Sequence, residues 1–355
     1  MKFLTFPTLI LKDIFENLTL EQLLILSLCS KRTTYAIQAI QSRQLKKVEY
    51  IFYKLTSEDQ IIVRSNWETF NVKLSTVSLK DNNIIPTELF GMKREVECCS
   101  PPSKLAPRYI YIKKDREMIM EKIHDYFYQI FGSTVYYQLE SYADGFTPRL
   151  KNINCSDIIL PNGTSLFDLK TFFNSSPNQE YVRIRGDLNG KLTKNSALFT
   201  TEYLDINSSK THGDDILLAF KGISIRFQDT MFHASTIIWF LNAWKSGKGF
   251  HNLKFVSIAS IPGRCLDKNK LAENVGIKSL GSPDDTFEVK WIERTNGAVD
   301  GNRNWRDRSF NPNQYLIRDN DGEVAFIRVT MFSFDFAVWS ALGNPEVIDY
   351  IDMYN

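Results

Sequence analysis

At 355 residues the chain is longer than one compact core usually holds, and its 43% hydrophobic content is ample for two buried cores. Basic and acidic residues nearly balance, 43 against 41, which leaves no basic stripe of the kind that grips nucleic acid or an anionic membrane. Five cysteines without a C-x-x-C, and four scattered histidines, argue against a zinc site and fit a reducing compartment, cytoplasmic or nuclear.

Met1-Lys2 and the apolar run from Phe3 to Leu11 have the outline of a short signal peptide. Lys12, Asp13 and Glu16 follow where a small-x-small cleavage site would stand, and the run continues as an amphipathic pattern. A retained helix is therefore expected. No stretch approaches the roughly 20 apolar residues of a membrane span.

Residues 6 to 45 read as three short helices. Phe6-Pro7 opens the first, with proline near the helix start where its missing N–H costs nothing. Ile10, Ile14 and Leu18, with Leu11 and Phe15 beside them, keep a 3.6-residue period. Thr19-Leu20-Glu21-Gln22 is a capping box, flanked by Leu18 and Leu23 as a hydrophobic staple. Ser30 supplies a third N-cap before Lys31-Arg32 and a helix bearing Tyr35 and Ile37. Between Phe6 and Cys29, 14 of 24 residues are apolar, more than one amphipathic face requires. A helical unit this small rarely sustains its own core. A second buried face is expected, against a partner or against the rest of the chain.

From Val48 the texture changes to short strands. Val48 to Leu55 and Trp67 to Leu79 alternate as strands do, and Glu117 to Phe131 reads as a helix. Leu74-x-x-Val77-x-Leu79-x-x-Asn82 fits a leucine-rich-repeat strand. Looser matches begin at Thr201 (Leu204, Ile206), Phe220 (Ile223, Ile225) and Leu253 (Val256, Ile258), starting 19 and 33 residues apart. With a helix from Ala234 to Ser246 between them, they favour an irregular βα array over an ordinary α+β domain. Further on, Gly281 to Asp285 is a turn-rich break and Thr286 to Arg294 a strand. Tyr315 to Thr330 forms a hairpin about Asn320-Asp321-Gly322, and Phe332 to Trp339 is an aromatic-rich, buried stretch.

Signals for chemistry are missing. His124, His212, His233 and His251 lack a partner at metal-ligand spacing, and the chain has no nucleophile elbow, Walker loop or dinucleotide fingerprint. Gly186-Asp187-Leu188-Asn189-Gly190, overlapped by Arg185-Gly186-Asp187, is read as a tight turn. Asp319 to Gly322 lacks the later ligands of a calcium loop. No enzyme, metal or cofactor is expected.

Phe6-Pro7-x-x-Ile10-Leu11-x-x-Ile14-Phe15-x-x-Leu18, then Leu23, Leu26 and Cys29-Ser30-Lys31, resembles the F-box motif over about 26 residues. Leu9 stands where that family often has Glu, and Thr33 where many members have Trp. Phe240-Leu241-x-x-Trp244 with the following Val256-x-Ile258 is similar to the F-box-associated type 2 family. So are Ile317-Arg318-x-x-Asp321-Gly322-x-x-Ala325-x-Ile327 and Phe334-x-Phe336-x-Val338-Trp339. The resemblance implies a substrate receptor of a cullin-type ubiquitin ligase. The twelve F-box-like residues just named would grip a Skp-type adaptor, and through it a cullin scaffold, while the second domain holds a protein target.

The expected fold is α+β: a three-helix F-box module over residues 1–46, then an irregular leucine-rich-repeat-like βα domain with a C-terminal β-hairpin over residues 47–355. The expected function is proximity, with no covalent step on this chain and no nucleic-acid or membrane partner. The alternative is an interaction scaffold whose N-terminal helices only cap the second domain.

Overall fold

The computed structural model describes residues 2–65, 69–76, 84–89, 92–97, 108–111, 115–142, 148–161, 164, 166–188, 192–193, 195–208, 213–259, 266–280, 289–294 and 305–341. Its contacts divide into two compact units, Met1–Asn154 and Cys155–Asn355.

In the first unit the helices are α1 (Thr8–Glu16), α2 (Leu20–Ser27), α3 (Lys31–Ile40) and the short α4 (Ser42–Leu45). Local chemistry sets their starts. Pro7 is the N-cap of α1. The Thr19 side chain accepts from the Gln22 backbone N–H while the Gln22 side chain accepts from that of Thr19, closing the capping box. Ser30 caps α3 by accepting from Thr33 N–H. α1 and α2 both pack on α3. Leu11, Phe15, Leu20, Leu23, Leu24 and Ile37 are buried, each worth roughly 1.5–3 kcal/mol of burial.

Strands follow: β1 (Val48–Leu55), β2 (Asp59–Ser65), β3 (Thr69–Thr76), β4 (Ile84–Leu89), β5 (Met92–Glu97) and β6 (Arg108–Tyr111), then helix α5 (Arg116–Phe131) and β7 (Tyr136–Ser141). Their order across the sheet is β7-β1-β2-β3-β6-β5-β4. β1 runs parallel to β7 and antiparallel to β2, so it is central and apolar on both faces: Ile51, Phe52, Tyr53 and Leu55 are all buried. α5 turns Ile119, Ile123 and Phe127 inward, with His124 beside them. Of the Trp67 to Leu79 stretch, Thr69 to Thr76 is strand, and the rest lies outside the described residues.

His124 sits in a buried relay. The Tyr53 hydroxyl lies 2.9 Å from Nδ1, and Nε2–H donates to the Lys151 carbonyl at 2.7 Å. The carbonyl can only accept, so Nε2 carries the proton, and Tyr53, whose ionisation burial strongly opposes, donates to Nδ1. Burial lowers the His124 pKa, against smaller opposing effects of the Lys151 carbonyl and Asp125. As pH falls below the unfolded-state value near 6.5, the unfolded chain takes up a proton that the folded one resists, so stability conferred by neutral His124 is lost. The full chain should melt lower at pH 5.5 than at 7.5, and His124→Gln should shrink that difference; an unchanged difference would exclude His124 as its cause.

In the second unit, β8 (Cys155–Ile159), α6 (Leu166–Ser175), β9 (Tyr181–Arg185), β10 (Tyr203–Asn207), α7 (Gly213–Ala219), β11 (Ser224–Gln228), α8 (Ala234–Lys245) and β12 (Phe255–Ala259) follow one another. The five strands are parallel neighbours in chain order. Then come α9 (Lys268–Val275), β13 (Lys278–Ser279), a separate pair of β14 (Val289–Arg294) and β15 (Trp305–Phe310), and β16 (Gln314–Ile317), β17 (Val324–Val329) and β18 (Phe334–Val338). β18 joins antiparallel to β12, and β17, β16 and β13 extend that edge.

Three sequence expectations need correction. In the ladder Ile225 pairs with Leu204 on one side and Val256 on the other, and Phe227 with Ile206 and Ile258. The middle match was therefore framed two residues early, on Ile223 and Ile225. The Leu74 match belongs to β3, antiparallel to β2 and outside the parallel ladder, and its Val77 to Asn82 portion lies outside the described residues. Of the stretch Phe332 to Trp339, Phe334 to Val338 is buried, but Phe332 is 53% exposed and Trp339 half-buried. The hairpin lies where expected, between β16 and β17, with only Gly322 of its turn at positive φ. Gly186 takes φ +109° at the end of β9, where a Cβ would lie 2.8 Å from the Leu160 carbonyl oxygen, so the glycine-rich segment begins as a bend. Gly281 to Asp285 lies outside the described residues.

Candidate functional site

The N-terminal helices carry more apolar side chain than they bury. Of the twelve residues singled out there, Leu11, Phe15 and Leu23 lie in the core of the bundle and hold the helices together. Ile14, Leu18 and Leu26 are half-buried, while Phe6, Pro7, Ile10, Cys29, Ser30 and Lys31 are exposed. Three large side chains outside those twelve also stand in water: Leu9 (75% exposed), Ile25 (43%) and Tyr35 (57%). With Phe6 at 48% and Ile10 at 45%, five such residues stand on the outside of α1 to α3 and the segment leading into α1. A signal existed: Leu9 and Ile10 fall off the Leu11/Phe15 stripe of α1, and Ile25 off the Leu20/Leu23/Leu24 stripe of α2.

The α2–α3 corner is fixed by polar contacts. The Ser27 hydroxyl donates to the Leu24 carbonyl at 2.6 Å and shares a short hydrogen bond with the Tyr126 hydroxyl of α5. Thr34 Oγ1 donates to the Ser27 carbonyl at 2.8 Å, and Gln38 Nε2 to the Gln129 carbonyl at 2.6 Å. Burial pushes the Tyr126 pKa up to about 12, against the opposing bonds from Ser27 and Thr34, so its hydroxyl stays protonated. A cavity of about 510 Å3 opens here, lined among others by Cys29, Ser30, Lys31, Lys122 and Tyr126. The Ser30 hydroxyl caps α3 and shares a hydrogen bond with Thr33 Oγ1 at 2.7 Å.

In the second unit, the motif residues of the C-terminal half converge. Phe240, Leu241 and Trp244 of α8 are fully buried. Phe240 and Trp244 meet Phe336 of β18 edge to face, with centroids 5.1 and 5.2 Å apart. The Arg318 guanidinium lies 5.1 Å from the Trp244 ring and is held by Asp321 and Glu323. These motifs assemble core rather than a surface. Among the described residues, no group of three or more His, Cys, Asp or Glu could hold a metal ion, and no helix is long and apolar enough to cross a membrane. Cys29 is an exposed free thiol and Cys155 is buried; Cys98, Cys99 and Cys265 lie outside the described residues.

No curated protein and no solved structure matches the chain. A family model does match, and it falls on the helices with the apolar surplus, over residues 3–41. Those residues, capped, internally packed and apolar on their outer side, are an F-box domain.

Proposed function

We propose that this chain is a substrate receptor of a cullin-type ubiquitin ligase. F-box domains bind Skp-type adaptors and so link to cullins. The observation that carries the reading is the match over residues 3–41 on helices whose outer side exposes Phe6, Leu9, Ile10, Ile25 and Tyr35. The adaptor would cover Phe6, Pro7, Ile10, Leu26 and the Cys29-Ser30-Lys31 corner, with Leu11, Phe15 and Leu23 holding the shape beneath. The parallel run β8 to β12 with its helices supports a leucine-rich-repeat-like, F-box-associated type 2 reading of the second unit, which would hold the protein target. The mechanism is then effective concentration: a target held beside a charged conjugating enzyme reacts without covalent chemistry on this chain. The exposed free thiol of Cys29 supports the cytoplasm or nucleus as its location.

Calorimetry between the full chain and a purified Skp-type adaptor tests the proposal. A one-to-one complex is expected; absence of binding by a folded chain would sink it. The scaffold reading, with helices acting as a cap, draws support from the contacts of Ser27 and Gln38 with α5. It predicts that absence.

A further inference from the structure

The sheet of the second unit has two unlike faces. One carries Val182, Ile184, Leu204, Ile206, Ile225 and Phe227, all buried, and continues through Phe334 and Phe336 to the ring of Phe240 on α8. Side chains alternate along a strand, so the residues between them stand on the opposite face. There the register aligns one row across seven strands: Asp157, Arg183, Asp205, Arg226, Ser257, Asp335 and Arg328.

Nearly every charge in that row is answered within it. Arg183 lies 3.9 Å from Asp157 and 3.5 Å from Asp205, and Arg185, one pleat along, reaches Asp157 at 2.9 Å. Asp335 accepts from Ser257 at 2.8 Å and from Arg328 at 2.7 Å. Arg226 is the exception. Its guanidinium has no ion-pair or hydrogen-bond partner among the described residues, although its strand is flanked on both sides and the residue is half-buried. Asp205, its one acidic neighbour in the row, is already engaged by Arg183. A terminal arginine waving in water would be unremarkable, but this one is central and held between committed neighbours.

Around it the same face presents donors. Tyr203 and Asn207 flank it on β10, and Gln228 lies two residues along its own strand, all half-buried. Burial and the Glu202 charge raise the Tyr203 pKa, so its hydroxyl remains able to donate. With Asp205 drawn to Arg183, a cation with a planar fork and neutral donors nearby complements a carboxylate or phosphoryl group. We infer that Arg226 anchors an acidic side chain, carboxylate or phosphorylated hydroxyl, of a protein segment laid across this face. The inference rests on the receptor reading and names the chemistry of its target.

Peptide pools with a fixed central residue, either serine, glutamate or phosphoserine, are applied to the immobilised full chain, and bound fractions are counted. Enrichment of an acidic centre over serine by about tenfold is expected, and its loss in Arg226→Gln. Enrichment of phosphoserine alone would assign the phosphoryl source; enrichment of both acids would include carboxylates. Arg226→Lys keeps charge and bulk without the fork and should retain only part of the preference. Variants are compared at equal folded fraction by melting, so lost preference is not lost fold. Equal capture of all three pools, or a preference that survives in Arg226→Gln, overturns the inference. Adaptor binding is measured separately: acid preference without it supports Arg226 while removing the ligase reading, and the reverse result removes Arg226 alone.

Discussion

Ile25→Asp in the full chain is expected to weaken binding of a Skp-type adaptor at least about a hundredfold, roughly 2.7 kcal/mol, with little change in melting temperature. The separation of the two effects comes from exposure. Ile25 is 43% exposed on α2, so an aspartate there stays hydrated in the free chain. Its cost to the helix, from propensity and a negative charge near the C-terminal end, is under about 1 kcal/mol. Beneath an adaptor the same charge would be stripped of water without a partner, a penalty of several kcal/mol. Ile10→Asp provides a second variant, in the first turn of α1, where the helix dipole favours negative charge. Leu9→Glu is the instructive contrast: it places the residue common in the resembling family at the most exposed of these five apolar side chains, and should keep binding. Phe15→Ala should also lose binding, but by unfolding the bundle, at about 3–5 kcal/mol, and melting reveals the difference. Full affinity in Ile25→Asp and Ile10→Asp together would mean that these helices are not the dock.

How much of this was legible in the sequence depends on how far apart the interacting residues lie. The caps at Thr19 and Ser30 act over three residues, and both were readable. The hairpin about Gly322 was readable for the same reason. The apolar face of α1 is legible in part: the period of Ile10, Ile14 and Leu18 falls on exposed and half-buried positions, while the buried pair is Leu11 and Phe15 beside it, and periodicity does not say what covers the rest. Strand register failed differently. Sliding the β11 frame by two residues keeps every side chain on its face, so Ile223-x-Ile225 and Ile225-x-Phe227 look equally good. Only the neighbouring strands choose between them. β8 and β9 went unread as ladder members because Asp157, Arg183 and Arg185 interrupt their apolar run. Asp157 and Arg183 belong to the charged row, into which Arg185 reaches from one pleat along, and its members span positions 157 to 335 and align only through pairing. The candidate dock was thus half visible, and Arg226 not visible at all.

The second large effect is expected at the start of α5. Asp59, 1% exposed, receives Arg116 Nε at 2.8 Å and Nη2 on its other oxygen, and Nη2 also reaches the Thr56 carbonyl at 3.2 Å. The pair ties the first turn of α5 to the start of β2. Asp59→Ala leaves a buried guanidinium without its carboxylate and should cost about 3–5 kcal/mol, a fall in melting temperature on the order of 10 °C. Asp59→Leu combined with Arg116→Met removes both charges and should recover most of that loss. The variant also separates the modular from the capping reading of the N-terminal helices. α1, α2 and α3 pack on one another and bury their own Leu11, Phe15, Leu23 and Ile37, and they meet α5 through polar contacts such as Ser27 with Tyr126. A bundle built that way should keep its adaptor affinity when the seat of α5 is weakened, provided binding is measured well below the lowered melting point. The same logic predicts that residues 47–355 alone remain folded and hold the target while losing the adaptor. If adaptor affinity instead falls in step with the melting temperature of Asp59→Ala, the helices depend on the sheet beneath them, and the capping reading is the better one.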